Sequence, residues 1–411
     1  MEKKQNKAQE KKSRKKRDTN SFKTLEVVFL IVITCIISLI MGWSFSNNGS
    51  MKSKFIITDD KELNEFIENY QYLLKNYYDN VDKKTLLEGA TEGMIKQLND
   101  QYSSMIPQEE SNNFNIRLSG TYEGLGIEII NDQSKNIIVY NIIENSPAQE
   151  AGLKVGDVIV KINDKNFKGK ETTELSNYVL NNKQSEFKVT VERENQEKNF
   201  KLIRKKITLK SVQSEIIEQD SKKIGYIYIS IFSNDTYNQF KEELKTLEDS
   251  KIDSLIIDVR DNTGGHLTTV SKIASLFLDQ SHVIYQTQTK KQTKKYYSKG
   301  KTTKKYKIIV LQNENSASAS ELLSATLKEE YGAIVVGTKS YGKGTVQELI
   351  TTSSGTEYKF TTKKWLTPKG NWIHEKGVEP NIVVELNSEY EKNPTKENDN
   401  QYQKAIEEAK K

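Results

Sequence analysis

One cysteine, three histidines, five prolines and three tryptophans are spread over 411 residues. The single cysteine, Cys35, allows no intrachain disulfide, so any fold must rest on a buried core. It sits in the middle of an apolar run, away from the small-residue lipobox that lipid attachment needs, which leaves it a packing role. His266, His282 and His374 are too few and too scattered for a metal cluster, and no local Ser-His-Asp signature surrounds them. No cofactor loop is evident either. Gly337-x4-Gly342-Lys343 approaches a nucleotide-binding loop, but Gly344 replaces the hydroxyl residue that would hold magnesium. The following TVQELI reads as a strand, where such a loop needs a helix. A broad basic surface is missing too. Net charge is +6, but residues 1–23 hold ten Lys/Arg against three acids, or +7, so the other 388 residues carry about −1. A nucleic-acid binder is therefore not expected.

What the chain does have begins with that basic tail, which lacks apolar periodicity. Leu25–Phe45, LEVVFLIVITCIISLIMGWSF, follows and is almost wholly apolar over a length that spans a bilayer. It is longer than the apolar core of a cleavable signal and no A-x-A site follows it, so an uncleaved transmembrane helix is expected over 24–46. The positive-inside rule places 1–23 in the cytoplasm and the remainder outside the cell membrane. A polar spacer (47–58) leads to a helical segment (59–112). There Leu63, Phe66, Ile67, Tyr70, Leu73, Leu74 and Tyr77 recur at three and four.

From 113 to 206 the pattern becomes short and β-rich, with small helices at 146–153 and 172–182. GLGI (124–127) and SPAQEAGLKVGDVIVKINDK (146–165) carry a resemblance to a PDZ domain. Gly124, Leu125, Gly126 and Ile127 would form a backbone nest for a carboxylate, with a peptide strand added beside them. A plain glycine hairpin is the bland alternative for GLGI alone.

Residues 207–389 alternate strands and helices: IGYIYISIF (224–232), TYNQFKEELKTLED (236–249), SLIIDVR (254–260), VSKIASLFL (270–278), KIIVLQN (307–313) and AIVVG (333–337). That order predicts a parallel α/β core. Residues 283–307, with nine lysines and no acid, read as a hairpin whose charge is a solvated ribbon rather than a polymer-binding surface. A polar linker and a final helix occupy 390–411.

NENSASASELL (313–323) lies between a strand and a helix. Ser318 with Glu321 fits the capping box S-x-x-E. The same place also suits a nucleophile, because a serine at a helix N-terminus is exposed beside free amides and the positive end of the dipole. Lys343 between two glycines could serve as its base if burial lowered the amine pKa. On the residues alone both roles for Ser318 stay open.

NSASASELLSATLKEEYGAIVVGTKSYGKGTVQ, TPKGNWIHEKGVEPNI (367–382), DVRDNTGGHL (258–267) and IGYIYISIFS (224–233) together resemble the carboxyl-terminal processing peptidases, over roughly 60–410. The resemblance implies a serine endopeptidase with Ser318 as nucleophile, Lys343 as general base and Gln347 orienting the lysine. It implies an oxyanion hole of the Ala319 amide with that of Gly264 or Gly265. Thr263 and Asn315 depart from the family pattern without removing a reacting group. His266 is left without a catalytic role. The expected molecule has an α/β peptidase core, a β-rich PDZ domain of α+β type, an N-terminal helical segment and one transmembrane helix. Its partners would be protein substrates held by their C-terminal tails, with a homodimer an expected assembly by the same resemblance. No cofactor or metal is expected. The alternative is a catalytically silent PDZ scaffold tethered to the membrane.

Overall fold

The computed structural model describes residues 60–106, 108–352 and 356–411. The basic tail and the 24–46 span lie outside those residues. Among the described residues no helix is long and apolar enough to cross a membrane. The chain divides into two compact units, Met1–Leu86 and Leu87–Lys411. In the first, helix α1 (Lys61–Asn76) starts at Asp60, whose carboxylate accepts the Leu63 amide at 3.1 Å. An aspartate there satisfies an otherwise orphaned donor. Helix α1 ends at Asn76, and a second helix, α2 (Lys83–Lys96), follows within the helical segment.

Strand β1 (Ser104–Ile106) precedes helix α3 (Gln108–Ser119). The chain is thus still helical at 113, where the sequence suggested that the β-rich domain begins. It turns at Gly120 into β2 (Thr121–Gly124). The domain itself contains β3 (Ile127–Asn131), β4 (Ile137–Ile142), helix α4 (Pro147–Ala151), β5 (Val158–Ile162) and β6 (Lys165–Asn166). Helix α5 (Thr172–Asn181), β7 (Glu186–Arg193), β8 (Gln196–Ile203) and β9 (Lys205–Thr208) complete it. Sheet order is β3-β4-β5-β7-β8, with β6 on β5, while β2 pairs with β9. Alternate residues of β4 and β7 point inward, Ile137 with Val139 and Phe187 with Val189 and Val191, and a register shift in β5 brings Ile159 and Ile162 to the same core around Phe167. The LKVGD stretch has a specific job. Buried Asp157 accepts the Lys154 amide at 2.9 Å and pairs with Arg193 at 2.6 Å, closing the turn between α4 and β5.

The remaining elements form two sheets. Strands β10 (Val212–Gln219), β11 (Lys222–Ile229) and β12 (Ser254–Asp258) are followed by β13 (Val283–Gln288), β14 (Thr293–Tyr297) and β15 (Lys307–Gln312). Then come β16 (Ile334–Gly337), β17 (Thr345–Thr351), β18 (Glu357–Leu366) and β19 (Ile382–Val383). One sheet runs β10-β11-β12-β15-β16-β19, parallel from β11 onward, with β10 antiparallel at its edge. Its central strands β12, β15 and β16 read as near-continuous apolar runs because both faces are covered. Leu255, Ile257, Ile308 and Val310 pack under α6 (Thr236–Asp249), α7 (Leu267–Ala274) and α8 (Ala319–Thr326). Ile256, Ile309 and Leu311 face the other way, with α9 (Ser388–Lys392) leading into α10 (Asn400–Lys410), which covers them with Tyr402, Ala405 and Ile406. The second sheet is antiparallel, β1-β18-β13-β14 with β17 beside β18. The 283–307 hairpin expected from the sequence is the β13–β14 pair. The chain passes from the first sheet to the second through residues 338–344, and Ser318 stands just beyond the carboxyl end of β15. The catalytic candidates therefore meet where the two sheets adjoin.

Candidate active site

The three serines of SASAS have separate fates. Ser316 is buried and its Oγ donates to the Val259 carbonyl at 2.8 Å, pinning the loop to the end of β12. Ser320 is also buried, donating to the Asn262 carbonyl at 2.7 Å. Between them Ser318 is half-buried and lines a cavity of about 710 Å³. Alternation thus presents one hydroxyl and uses two as staples, with Ala317 and Ala319 small enough to let the loop pack. Ser318 has φ +54° and ψ −109°. Ser146, Asn387 and Asp399, which cap α4, α9 and α10, are extended instead. A non-glycine residue in such a region costs about 1–3 kcal/mol and persists where the surroundings enforce it. The helix-capping role alone gives no reason for that strain.

Glu321 supplies the enforcement. Its carboxylate is fully buried and accepts the Ser318 amide at 2.7 Å, the half of the capping box visible in the sequence. It also accepts the Lys343 amide at 2.8 Å, the Gly342 amide at 2.6 Å and the Ser340 hydroxyl at 2.7 Å. One side chain therefore ties the serine loop to the lysine loop. Burial pushes its carboxyl above the usual carboxylate range, and the four donors work against that shift. Two indoles fix the lysine loop from the other side. Trp365 Nε1 donates to the Lys343 carbonyl at 2.8 Å, and Trp372 Nε1 to the Gly344 carbonyl at 2.9 Å. His374 Nδ1 accepts the Gly344 amide at 3.3 Å.

The Lys343 amine reaches into the same cavity. Burial lowers its pKa below that of a free lysine, and the charge of Lys359 lowers it further, while Glu321 and Asp100 pull it back. Its Nζ lies 4.9 Å from the centre of the Tyr102 ring. Among the described residues it makes no hydrogen bond or ion pair. Gln347 lines the cavity too, but its Nε2 donates to Thr345 Oγ1 at 2.9 Å and Thr361 Oγ1 at 3.0 Å rather than meeting Lys343. The structure thus gathers Ser318, Lys343 and Gln347 on one cavity without hydrogen bonds among them.

The glycine loop closes the opposite wall. A methyl group added at Gly264, whose φ is +108°, would stand 3.0 Å from Ser318 Cβ and 3.1 Å from the Ala319 nitrogen. Only glycine permits that approach. The Gly264 amide already donates to Asn262 Oδ1 at 2.9 Å, and buried Asn262 donates onward to the Ile229 carbonyl at 2.8 Å. Among the described residues the amides of Gly265 and Ala319 have no acceptor. His266 lines the cavity and places Nε2 3.0 Å from the Leu118 carbonyl, tying α3 to the glycine loop. Arg260, from the same DVRDN stretch, clamps Asp258 at 2.7 Å and Asp399 at 2.8 Å, anchoring the start of α10.

A second cavity, of about 280 Å³, lies in the β-rich domain. Gly124, Leu125, Ile127 and Ile129 form one side, and Leu175, Val179 and Leu180 of α5 the other. Gly126 sits in the connecting turn with φ +78°, where an added methyl would collide with Ser146 Cβ at 2.1 Å. Its carbonyl accepts from the Ile143 amide at 3.0 Å and Ser146 Oγ at 3.2 Å. The groove is apolar, open at a glycine turn and flanked by a strand edge and a helix, a form that accepts an extended peptide.

Profiles of three families match the chain: Peptidase family S41 over residues 223–384, PDZ domain over 124–203, and Activating protease CtpB N-terminal domain over 43–110. The carboxy-terminal processing protease CtpB of Bacillus subtilis (strain 168) is 37% identical over 328 residues, covering 79% of this chain and 68% of that protein. A probable CtpA-like serine protease of Staphylococcus aureus (strain COL) is 34% identical over 360 residues, covering 86% and 71%. The solved structure of a photosystem II D1 C-terminal processing protease aligns with TM-score 0.48 at 22% identity, covering 78% of this chain and 86% of that one.

Proposed function

We propose, from the premise that this chain belongs to the carboxy-terminal processing serine proteases of peptidase family S41, that it cuts peptide bonds with a Ser318–Lys343 dyad. The observation that carries this reading is the single Glu321 carboxylate holding both the Ser318 and the Lys343 amides while both side chains face one cavity. Neutral Lys343 takes the proton from Ser318 Oγ as that oxygen attacks the substrate carbonyl carbon. The negative oxygen of the tetrahedral intermediate is met by the amides of Ala319 and Gly265, since Gly264 spends its own on Asn262. The ammonium of Lys343 then protonates the leaving amine, which leaves an ester on Ser318. A water deprotonated by Lys343 releases the acid. For the first step the Lys343 amine must come within hydrogen-bond reach of Ser318, and Gln347, which lines the same cavity, would steady it there.

The test is to quench a reaction in acid and weigh the protein. An added acyl mass on the peptide bearing Ser318 is expected. An adduct elsewhere, or undiminished cleavage by Ser318→Ala, overturns the dyad.

The apolar groove of the PDZ domain would hold the substrate's C-terminal residues, with the carboxylate at Gly124–Ile127. Ile127→Ser is then expected to lower kcat/KM about tenfold on a protein ending in a free apolar residue. The same change should cost far less when that C-terminus is amidated. Equal losses on the two substrates would remove tail recognition from this groove. Residues 24–46 anchor the enzyme in the cell membrane, with the catalytic portion outside.

A further inference from the structure

The cavity around Ser318 has a charge pattern that the reaction does not use. Its ionisable lining residues are Arg117, His266, Lys343 and Lys359, and no carboxylate is among the described residues that line it. Lys343 is taken up as the base and Lys359 acts on it only through its charge, which leaves the hydrogen-bond donors of Arg117 and Lys359 unused by the reaction. They converge on one turn of α3. Lys359 Nζ lies 5.9 Å from the centre of the Phe114 ring, and Arg117 follows Phe114 by three positions on the same helix, so both face the cavity. Among the described residues neither side chain makes a hydrogen bond or ion pair. Two acids of this region that are described have other donors: Glu357 accepts from Ser111 at 2.5 Å, and Asp100 accepts the Ser103 hydroxyl at 2.6 Å. By contrast, Arg193 and Arg260 are each clamped to a buried aspartate.

We infer that Arg117 and Lys359 form a subsite for an acidic side chain of the substrate, close to the bond that is cut. The inference rests on the peptidase reading above and names the substrate class. A carboxylate entering the cleft gives up water and gains charge-assisted hydrogen bonds from a planar guanidinium fork and an ammonium. The substrate's own C-terminal carboxylate is spoken for by the PDZ groove, so the acid is an internal Asp or Glu. Lys359 is half-buried, which strengthens its pairing relative to open surface, while Arg117 is exposed and supplies the fork. Lys359 sits on β18 opposite Leu349 of β17, two residues past Gln347, which puts the subsite beside the dyad rather than at the cavity's far rim.

The experiment uses the full-length chain and two unfolded protein substrates with the same apolar C-terminal tail. One carries Glu next to the mapped cut, the other Gln. The Glu substrate is expected to be cut about tenfold faster in kcat/KM. Mapped cuts should lie within about two residues of an acid. In an Arg117→Gln/Lys359→Gln double variant the Glu/Gln ratio should fall to near one, and Lys359→Glu should shift preference toward Lys at that position. A ratio near one in the parent, with the Gln substrate still cut, overturns the subsite and leaves the peptidase standing. Cuts at a fixed distance from the C-terminus, whatever residue is there, likewise overturn it. Cleavage of neither substrate by the parent overturns both readings.

Discussion

Lys343→Ala is expected to lower kcat/KM on an unfolded protein substrate by about 10⁴-fold or more. The alanine cannot take the Ser318 proton, and no histidine hydrogen bond to Ser318 is present among the described residues to stand in. Lys343→Arg should fail equally, because a guanidinium stays protonated at any working pH. The pH profile gives the sharper reading. The amine accepts a proton only when neutral, so the parent's kcat/KM should rise with pH and level off above the pKa of Lys343. Burial, reinforced by Lys359, sets that pKa below the free-lysine value. The alanine variant should lack the limb. Stability moves with it. Between the folded and unfolded pKa values the unfolded state binds more protons, so this residue's contribution is full above the unfolded pKa and lost as pH falls through the folded one. Lys343→Met should therefore be inactive and yet more resistant to urea at neutral pH. A methionine variant less stable than the parent there would contradict the buried-amine account.

Glu321→Gln should lower kcat on the order of 10²-fold with little change in KM, and destabilise the chain by about 2–4 kcal/mol. A carboxylate can receive the Ser318, Gly342 and Lys343 amides and the Ser340 hydroxyl at once. A carboxamide offers one oxygen, and its NH₂ would point at donors. In the parent Oε2 holds the Ser318 and Lys343 amides and Oε1 the Ser340 hydroxyl and the Gly342 amide, so the carboxamide must turn its NH₂ on one of these pairs of donors and the two loops are no longer fixed together. Misplacement by about 1 Å suffices for a loss of this size. Glu321→Asp keeps the charge but shortens the reach, and should recover stability more than turnover. If Glu321→Gln unfolded at the parent's urea concentration and turned over normally, the strut role would be wrong.

Much of this molecule could be read from local pattern. The PDZ fold was legible because Ser146, Gly152 and Asp157 each meet a backbone demand within one short stretch, and Gly126 meets another in the glycine turn. The parallel core was legible because strands covered on both faces must be continuously apolar, as SLIID and KIIVLQ are. TVQELI forms β17, as the sequence suggested. What escaped depends on distant partners. EYKFTTKKWL is too polar to advertise a strand, yet β18 pairs with β1, β13 and β17 and holds the second sheet together. QEESNNFNIRLS has little apolar periodicity, and α3 hid between the helical and β-rich segments. The capping box showed Glu321 only as a local partner of Ser318. Its hold on residues 340–343 needs the crossing between sheets, which no spacing encodes. Trp365 and Trp372 were invisible for the same reason.

Helix α3 puts Ile116 on the PDZ groove and its neighbour Arg117 on the catalytic cavity. The two recesses back onto opposite sides of one rod, so a substrate engaging both must bridge at least its thickness, on the order of 10 Å. At about 3.4 Å per extended residue, that is three residues or more beyond those seated in the groove. If tails seat in the groove as proposed, the fold acts as a ruler with a minimum mark: very short C-terminal stubs cannot span it. Once a tail is seated, the rest of the chain meets Ser318 at a tethered concentration in the millimolar range. The cleft can then afford weak contacts and still choose its bond, because proximity supplies what affinity does not.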